Sequence, residues 1–461
     1  MKSLLPYLVT APFFLAGCTV GPDFAVPGFA AGGTWKQSTS TQGSALPDEW
    51  WRLFRDAELN RLVKRAIDAN PDIAAARARR DTARALVGVD QARLFPRLDL
   101  HSSSGIDRNS ANGAFPIQNL ENQSYRASFD FSYDLDLWGS NRRAIEAAEA
   151  EFGAAEALLA AQRLGIASEV ARQYFTLRGL DAQEAILSET IASRGEALDL
   201  EKSRNDAGLT DGLTTSRART EWERAKNDLA LVQRRRGSAE HALAVLCGTR
   251  PAAFTVSKKN TRSSLPRIAP GLPAEVLARR PDMRAAEQSL RDANARIGVA
   301  EAAFYPDISL TGSAGLDSVD ASSFLQWESR VLSLGAGLAA PLIDGGANRA
   351  NYDASRSRYE ESLARYRQTM LTALREVEDA LVDLQGLARS RRALDAALAS
   401  AGDTRKLSFQ RYDKGLSSYF EVVESDRELL QIRLALAEVD AQQRISLAAL
   451  ASALGGGWDG R

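Results

Sequence analysis

Residues 70–105 read NPDIAAARARRDTARALVGVDQARLFPRLDLHSSSG, and residues 280–315 read RPDMRAAEQSLRDANARIGVAEAAFYPDISLTGSAG. At one constant offset Pro71 matches Pro281, Gly88-Val89 matches Gly298-Val299, and Pro96 matches Pro306. Further on, at a slightly smaller offset, Gly139 matches Gly346 and Asn141-Arg142 matches Asn348-Arg349. Glu169-Val170, Gly179-Leu180 and Gly208-Leu209 likewise match Glu376-Val377, Gly386-Leu387 and Gly415-Leu416. The chain is therefore two copies of one unit, 56–248 and 274–454. A solenoid needs at least three repeats, so this is a duplicated domain. A connector at 249–273, with Pro251, Pro266, Pro270 and Pro273, joins the copies.

Each copy has the same order. A helix comes first (56–93, broken at Pro71; 274–304). Two extended segments follow (97–108 and 124–137; 307–317 and 329–343), with alternation visible in Phe129-Asp130-Phe131-Ser132-Tyr133 and in Leu332, Leu334, Ala336 and Leu338. A very long helix comes next (140–206; 346–414), then a turn at the Gly-Leu pair and a return helix (213–247; 418–454). Residues 117–250 and 342–461 contain no Pro, so nothing breaks these helices. At about 1.5 Å per residue, a helix over 140–206 spans roughly 100 Å. Phe152, Leu159, Ile166, Leu180 and Leu187 follow a seven-residue spacing, as do Leu363, Met370, Val377, Leu384 and Leu398. That spacing is coiled-coil packing over many turns.

Composition narrows the function. The 461 residues carry 58 Lys+Arg against 59 Asp+Glu, which argues against a nucleic-acid partner. Two His, three Met and two Cys leave little for a metal site. Past the N-terminus no apolar run of about 18 residues occurs, so no transmembrane helix is coded. A β-barrel is the other way through a membrane. Four strands of about 10–12 residues have the right length to cross. Four cannot close a barrel, and open edges in lipid are forbidden. Two copies would close eight strands around a filled interior; three would close twelve around a lumen, as a cyclic trimer. A small water-soluble antiparallel sheet is the competing reading.

The first 17 residues read as a secretory signal: Lys2, the apolar stretch Leu4–Ala16, then Leu15-Ala16-Gly17-Cys18. Small residues before a Cys resemble the bacterial lipoprotein signal, which implies a mature chain starting at an acylated Cys18. Thr19, a residue other than Asp after that Cys, implies by the same resemblance sorting to the outer membrane. Cys247 is then alone, in an apolar helix end stopped by Gly248, and reads as a buried inert thiol. Gly335-x-Gly337-x-x-Ala340 imitates a dinucleotide fingerprint, but Pro341 stands where a helix should begin. His101 and His241 have no paired ligand in sequence. No catalytic constellation, cofactor or metal site is expected.

Several pieces now combine: Cys18-Thr19-Val20-Gly21-Pro22-Asp23-Phe24, Trp50-Trp51-Arg52-Leu53-Phe54, Asn70-Pro71-Asp72-Ile73, Phe304-Tyr305-Pro306, Pro341-Leu342-Ile343-Asp344-Gly345-Gly346 and Arg411-Tyr412-Asp413-Lys414-Gly415-Leu416. In this order they resemble the bacterial outer-membrane factors, the TolC/OprM-like exit ducts, and among them the NodT-type efflux lipoproteins. The resemblance implies an α+β membrane fold: a trimeric 12-stranded outer-membrane β-barrel, four strands per chain, continuous with a long α-helical periplasmic barrel. It also implies a mixed equatorial belt, supplied here by 18–55, 249–273 and the tail 455–461. The implied task is passive conduction from an inner-membrane RND-type pump, through a periplasmic adaptor, to the outside.

A permanently open tube would leak, so the helix tips at Gly208 and Gly415 must close. In the resembling family a constriction follows the second tip. Residue by residue, Phe420 matches its apolar plug, Glu424 its main acidic ring (usually Asp), Glu421 a second acidic ring, and Arg427 its Arg. The first-copy counterpart of Glu424 is Arg217. Tyr412 matches a Tyr that locks the closed coil, and the acidic partner position falls near Thr214, so a weak or absent lock is expected. A lipid-anchored periplasmic coiled-coil scaffold, an adaptor and, last, an enzyme are the alternatives.

Overall fold

The computed structural model describes residues 19–28, 34–36, 46–112, 121–259 and 265–458. The expected signal over 1–17 and the lipidation site Cys18 lie outside them. In chain order the elements are α1 (Ala57–Ala69), α2 (Pro71–Ala92), β1 (Arg97–Arg108), β2 (Glu121–Asp134), α3 (Ser140–Asp206) and α4 (Gly212–Leu246). The second copy follows with α5 (Pro273–Arg279), α6 (Pro281–Ala302), β3 (Asp307–Ser318), β4 (Arg330–Ala339), α7 (Ala347–Asp413) and α8 (Tyr419–Ala453). The long helices α3 and α7 are each 67 residues, and the return helices α4 and α8 are each 35. Among the described residues no helix is long and apolar enough to cross a membrane.

The elements differ from the sequence reading in the second opening helix and at two strand ends. The opening helix of the second copy is broken, as in the first: α5 ends at Arg279 and α6 starts at Pro281. Proline has no N–H and disfavours helix in the residue before it, so Arg280 is extended. Two strands also end earlier than expected. Beyond β2 the chain turns at Asp136, whose φ of 45° is left-handed, and beyond β4 Pro341 offers no ladder donor.

The chain divides into two compact units. One holds the described residues within 19–27, 80–155 and 286–366. Its sheet is antiparallel in the order β1-β2-β3-β4. The register sorts side chains onto two faces. Leu98 and Leu100 face the same way as Phe131 and Phe129, then Gly312 and Ala314, then Leu334 and Leu332. Leu332 and Leu334 are each 85% exposed, so no cover over this apolar face occurs among the described residues. The opposite face is polar: Asp99, His101, Arg126, Ser128, Asp130, Thr311, Ser313, Asp317 and Ser333. His101 Nδ1 lies 3.1 Å from Asp130, which also accepts from Ser313 Oγ at 2.6 Å. The glycines of the false fingerprint, Gly335 and Gly337, are interior to β4 on that polar face.

In the same unit the described start of the chain is held by Arg143 of α3, a buried guanidinium. It donates to the carbonyls of Val20 and Gly21 and pairs with Asp23 at 2.9 Å. Asn294 of α6 donates to Pro22 O; a side chain on Gly21 would collide with the Gly298 backbone, and one on Gly298 would crowd the Arg143 side chain.

The other unit holds the described residues within 28–79, 156–285 and 367–458. Its core gathers Trp50, Phe54, Leu59, Leu62 and Val63 with Tyr174, Phe175, Leu177, Leu243 and Ala448. Each such large apolar side chain contributes about 1.5–3 kcal/mol on burial. The duplication survives at the level of single bonds. Asn70 Nδ2 donates to Leu246 O, at the end of α4, and Arg280 donates to Ala453 O, at the end of α8. The expected inert Cys247 is buried against Leu62 O, and burial raises its thiol pKa. The described part of the tail, through Trp458, packs into this unit, with Gly456 against Trp50 and Leu164.

Candidate gate at the helix tips

Both long helices stop the same way. Gly208 (φ 72°) and Gly415 (φ 69°) take the left-handed conformation that glycine adopts without strain. The next amides, Leu209 N and Leu416 N, bond back to Arg204 O and Arg411 O, each at 2.8 Å. These tight turns leave Leu209 and Leu416 exposed and start the return helices at once. At the first tip Asp211 caps α4, accepting from Thr214 N at 3.0 Å and Thr214 Oγ1 at 2.8 Å. Those bonds and the Arg217 charge hold the Asp211 carboxyl below the usual range.

The expected gate residues occupy the first turns of α8. Phe420 is half exposed, and the Arg217 guanidinium of α4 lies 5.5 Å from its ring. Glu421 and Glu424 are exposed. Glu424 accepts from Arg427 Nη1 at 2.5 Å, one turn along the helix. Arg427 Nη2 reaches across to Glu221 of α4.

The structure corrects the expected lock. Thr214 is spent on the Asp211 cap and is not the partner of Tyr412. The Tyr412 hydroxyl donates to Glu201 Oε2 of α3 at 2.8 Å, and the Glu201 side chain is 2% exposed. Far from being absent, this contact is reinforced: the Arg204 guanidinium sits 5.3 Å from the Tyr412 ring and pairs with Asp413 at 3.2 Å. Tyr419 packs its ring 5.3 Å from that of Tyr412. Burial first, then the nearby Glu201 and Asp426 carboxylates, push its phenol up to about 12.

Glu221, which the sequence reading overlooked, is the hub. It is buried and faces three cations: Arg427, Arg194 of α3 at 3.3 Å, and Arg224 at 3.3 Å. Burial alone would raise its pKa; the Arg427 hydrogen bond and the charges of Arg194, Arg427 and Arg224 outweigh it, and the net shift is downward. Further from the tips, Arg433 of α8 pairs with Glu189 of α3, and Gln183 of α3 donates to Glu438 of α8. The α3–α4 hairpin and the α7–α8 hairpin are thus pinned together by charge-assisted bonds, the strong class of hydrogen bond. The sequence signal was available: the second-copy counterparts of Arg194, Glu201 and Arg217 are Ala401, Ser408 and Glu424. Charge differs between the copies where the hairpins meet. Among the described residues no cluster suited to a metal ion occurs.

Comparison with known proteins converges on one group. The family model "Outer membrane efflux protein" matches residues 62–249 and 272–456, the two copies. The chain is 33% identical over 450 residues to outer membrane protein OprJ of Pseudomonas aeruginosa, covering 96% of this chain and 94% of that one. It is 30% identical over 465 residues to the probable efflux pump outer membrane protein TtgC of Pseudomonas putida, covering 99% and 96%. Among solved structures it matches the outer-membrane channel OprN with a TM-score of 0.89 at 29% identity, covering 96% of this chain and 100% of that one. The open state of the MtrE outer membrane channel of Neisseria gonorrhoeae matches with a TM-score of 0.82 at 28% identity, covering 96% and 99%. The fold class is the one expected, a trimeric outer-membrane β-barrel with four strands per chain and long periplasmic helices. The exposed apolar face of the sheet then meets lipid and the polar face lines the lumen. This chain belongs to the outer membrane efflux protein family and is an outer-membrane efflux channel.

Proposed function

We propose that the chain is the exit duct of a tripartite efflux system, taking substrate from an inner-membrane RND-type pump through a periplasmic adaptor seated at the helix tips, and conducting it passively. No catalysis is assigned to it. Cys18 carries the covalent lipid that anchors the mature N-terminus. The tips form a gate whose closed state is held by Tyr412 on Glu201 and by Arg427 on Glu221. The observation that carries this reading is the crossing of charges between the two hairpins, each bond joining elements that must separate for a tip to widen. Glu424, Glu421 and Phe420 narrow the mouth. Three-fold symmetry makes each a ring, and rings of carboxylates favour cations.

The test is single-channel conductance of the purified trimer in a planar bilayer. Replacing Glu424 by Ala should raise conductance and weaken cation preference. Unchanged conductance and selectivity would remove Glu424 from the mouth.

A further inference from the structure

The hairpin loop between β3 and β4, residues 319–329, lies at the strand ends remote from the helices, because α2, α3, α6 and α7 all join the opposite ends of the strands. With the helices in the periplasm, this loop is extracellular. It is an ordered piece of structure. Ser318 Oγ and Ser323 Oγ are 2.8 Å apart, Ser329 Oγ donates to Ser323 O at 2.8 Å, and Gln326 N donates to Ser323 O at 3.0 Å. It leans onto one face of the sheet. Phe324 packs 6.4 Å from Tyr125, which shares the apolar face with Phe129. Arg330 pairs with Leu316 and is two residues from Leu332 on that same face; its guanidinium lies over the Trp327 indole, and its Nε donates to Trp327 O. On this loop Leu325 is 83% exposed, Val319 77% and Trp327 71%. Those apolar side chains continue the lipid-facing band upward, past the last strand leucine, to the level where a cation is held in place.

We infer that this loop is a foot seated in the outer leaflet, with Val319, Leu325 and Trp327 at the acyl–headgroup boundary and Arg330 binding a phosphate of the phosphorylated glycolipid that forms that leaflet. Indole rings favour that boundary, and a cation at phosphate level is attracted to anionic headgroups. Asp320 is occupied in its own turn, accepting from Ser322 N and Oγ. Closing the barrel sets β1 of one copy beside β4 of the next, which brings Arg108, on the same face at its extracellular end, to the seam that Arg330 occupies. Within one copy Arg108 is paired with Glu121 at 2.9 Å, so Arg330 is the principal contact. The inference rests on the outer-membrane placement and not on the gate.

The experiment is native mass spectrometry of the intact trimer in mild detergent, with diphosphorylated lipid A, its dephosphorylated form and inorganic phosphate as parallel probes. The protein should retain the diphosphorylated form, and Arg330→Gln should lower retention at least fivefold without changing single-channel conductance. Equal retention by Arg330→Gln, or displacement of the lipid by inorganic phosphate at similar concentration, overturns the assignment. In a second measurement brominated acyl chains should quench Trp327, read as the difference between the protein and Trp327→Phe in reconstituted vesicles. Quenching by aqueous iodide instead places the loop in water. Shielding from both quenchers places it against a neighbouring copy. Either result refutes the lipid foot.

Discussion

Replacing Tyr412 by Phe deletes one oxygen and leaves the ring packed at a tilt against Tyr419 and under Arg204. The lost bond is to a carboxylate with almost no access to water. Hydrogen bonds to charged groups contribute about 1.5–3 kcal/mol. Arg204 stays 3.5 Å from Glu201, so the lower figure, about 1.5 kcal/mol, applies. That shifts the closed-to-open ratio of one tip about tenfold. If the three tips release independently, openings rise about tenfold; if they release together, the factors multiply to about a thousandfold. The assay is the frequency of high-conductance openings in a planar bilayer, at fixed voltage and salt, for trimers whose helical content matches the parent by circular dichroism. An unchanged frequency in a correctly inserted Tyr412→Phe trimer refutes the claim that this bond holds the tip. An equal effect in a Glu201→Gln background, where the carboxylate is already gone, refutes the pairing of the two residues, because coupled groups do not add.

Acid should also open the tip. The Glu221 pKa is depressed, so its contribution is present above the ordinary glutamate value, near 4.5, and fades as pH falls through the lower folded value. Conductance rising below about pH 4.5, and losing that dependence in Glu221→Gln, is the expected pattern. At the other extreme the raised phenol of Tyr419 contributes stability that is present below about pH 10 and lost as pH climbs to about 12, so an alkaline opening should vanish in Tyr419→Phe. Arg280→Ala should destabilise the fold by about 1–3 kcal/mol, chiefly because the Ala453 carbonyl at the end of α8 loses its donor, while the part-exposed Asp282 and Glu376 are screened by water; denaturant unfolding of the trimer reads it. Cys18→Ser should abolish incorporation of radiolabelled fatty acid, and persistent labelling would refute the lipoprotein reading.

Most of the scaffold was legible because its signals are long and repeated. The end of α3 at Asp206 follows from the Gly208 turn, and the second copy repeats that turn at Gly415. The strand faces follow from alternation in Phe129–Tyr133. The break before Pro281 was readable from its mate at Pro71 and was passed over because Arg280, unlike Asn70, carries no helix-start signature. The lock was misread for a different reason. Sequence distance says nothing about which residue of α3 lies across from Tyr412, and Glu201 stands 211 residues away. Periodicity gave the rails, but the axial stagger of one hairpin on the other is set by packing. Only the unequal charges of the two copies hinted at where they touch.

The two outer strands of the sheet, β1 and β4, each have one bare edge. A protomer that must borrow its neighbours' strands cannot be repaired or replaced alone. When two alleles are expressed together, every channel is drawn from the mixed pool, and a random draw places at least one faulty copy in most of them. A defect in the shared rim is therefore dominant in the cell, whereas a defect confined to one tip is diluted. Counting leak against allele ratio would report how many of the three doors must stay shut.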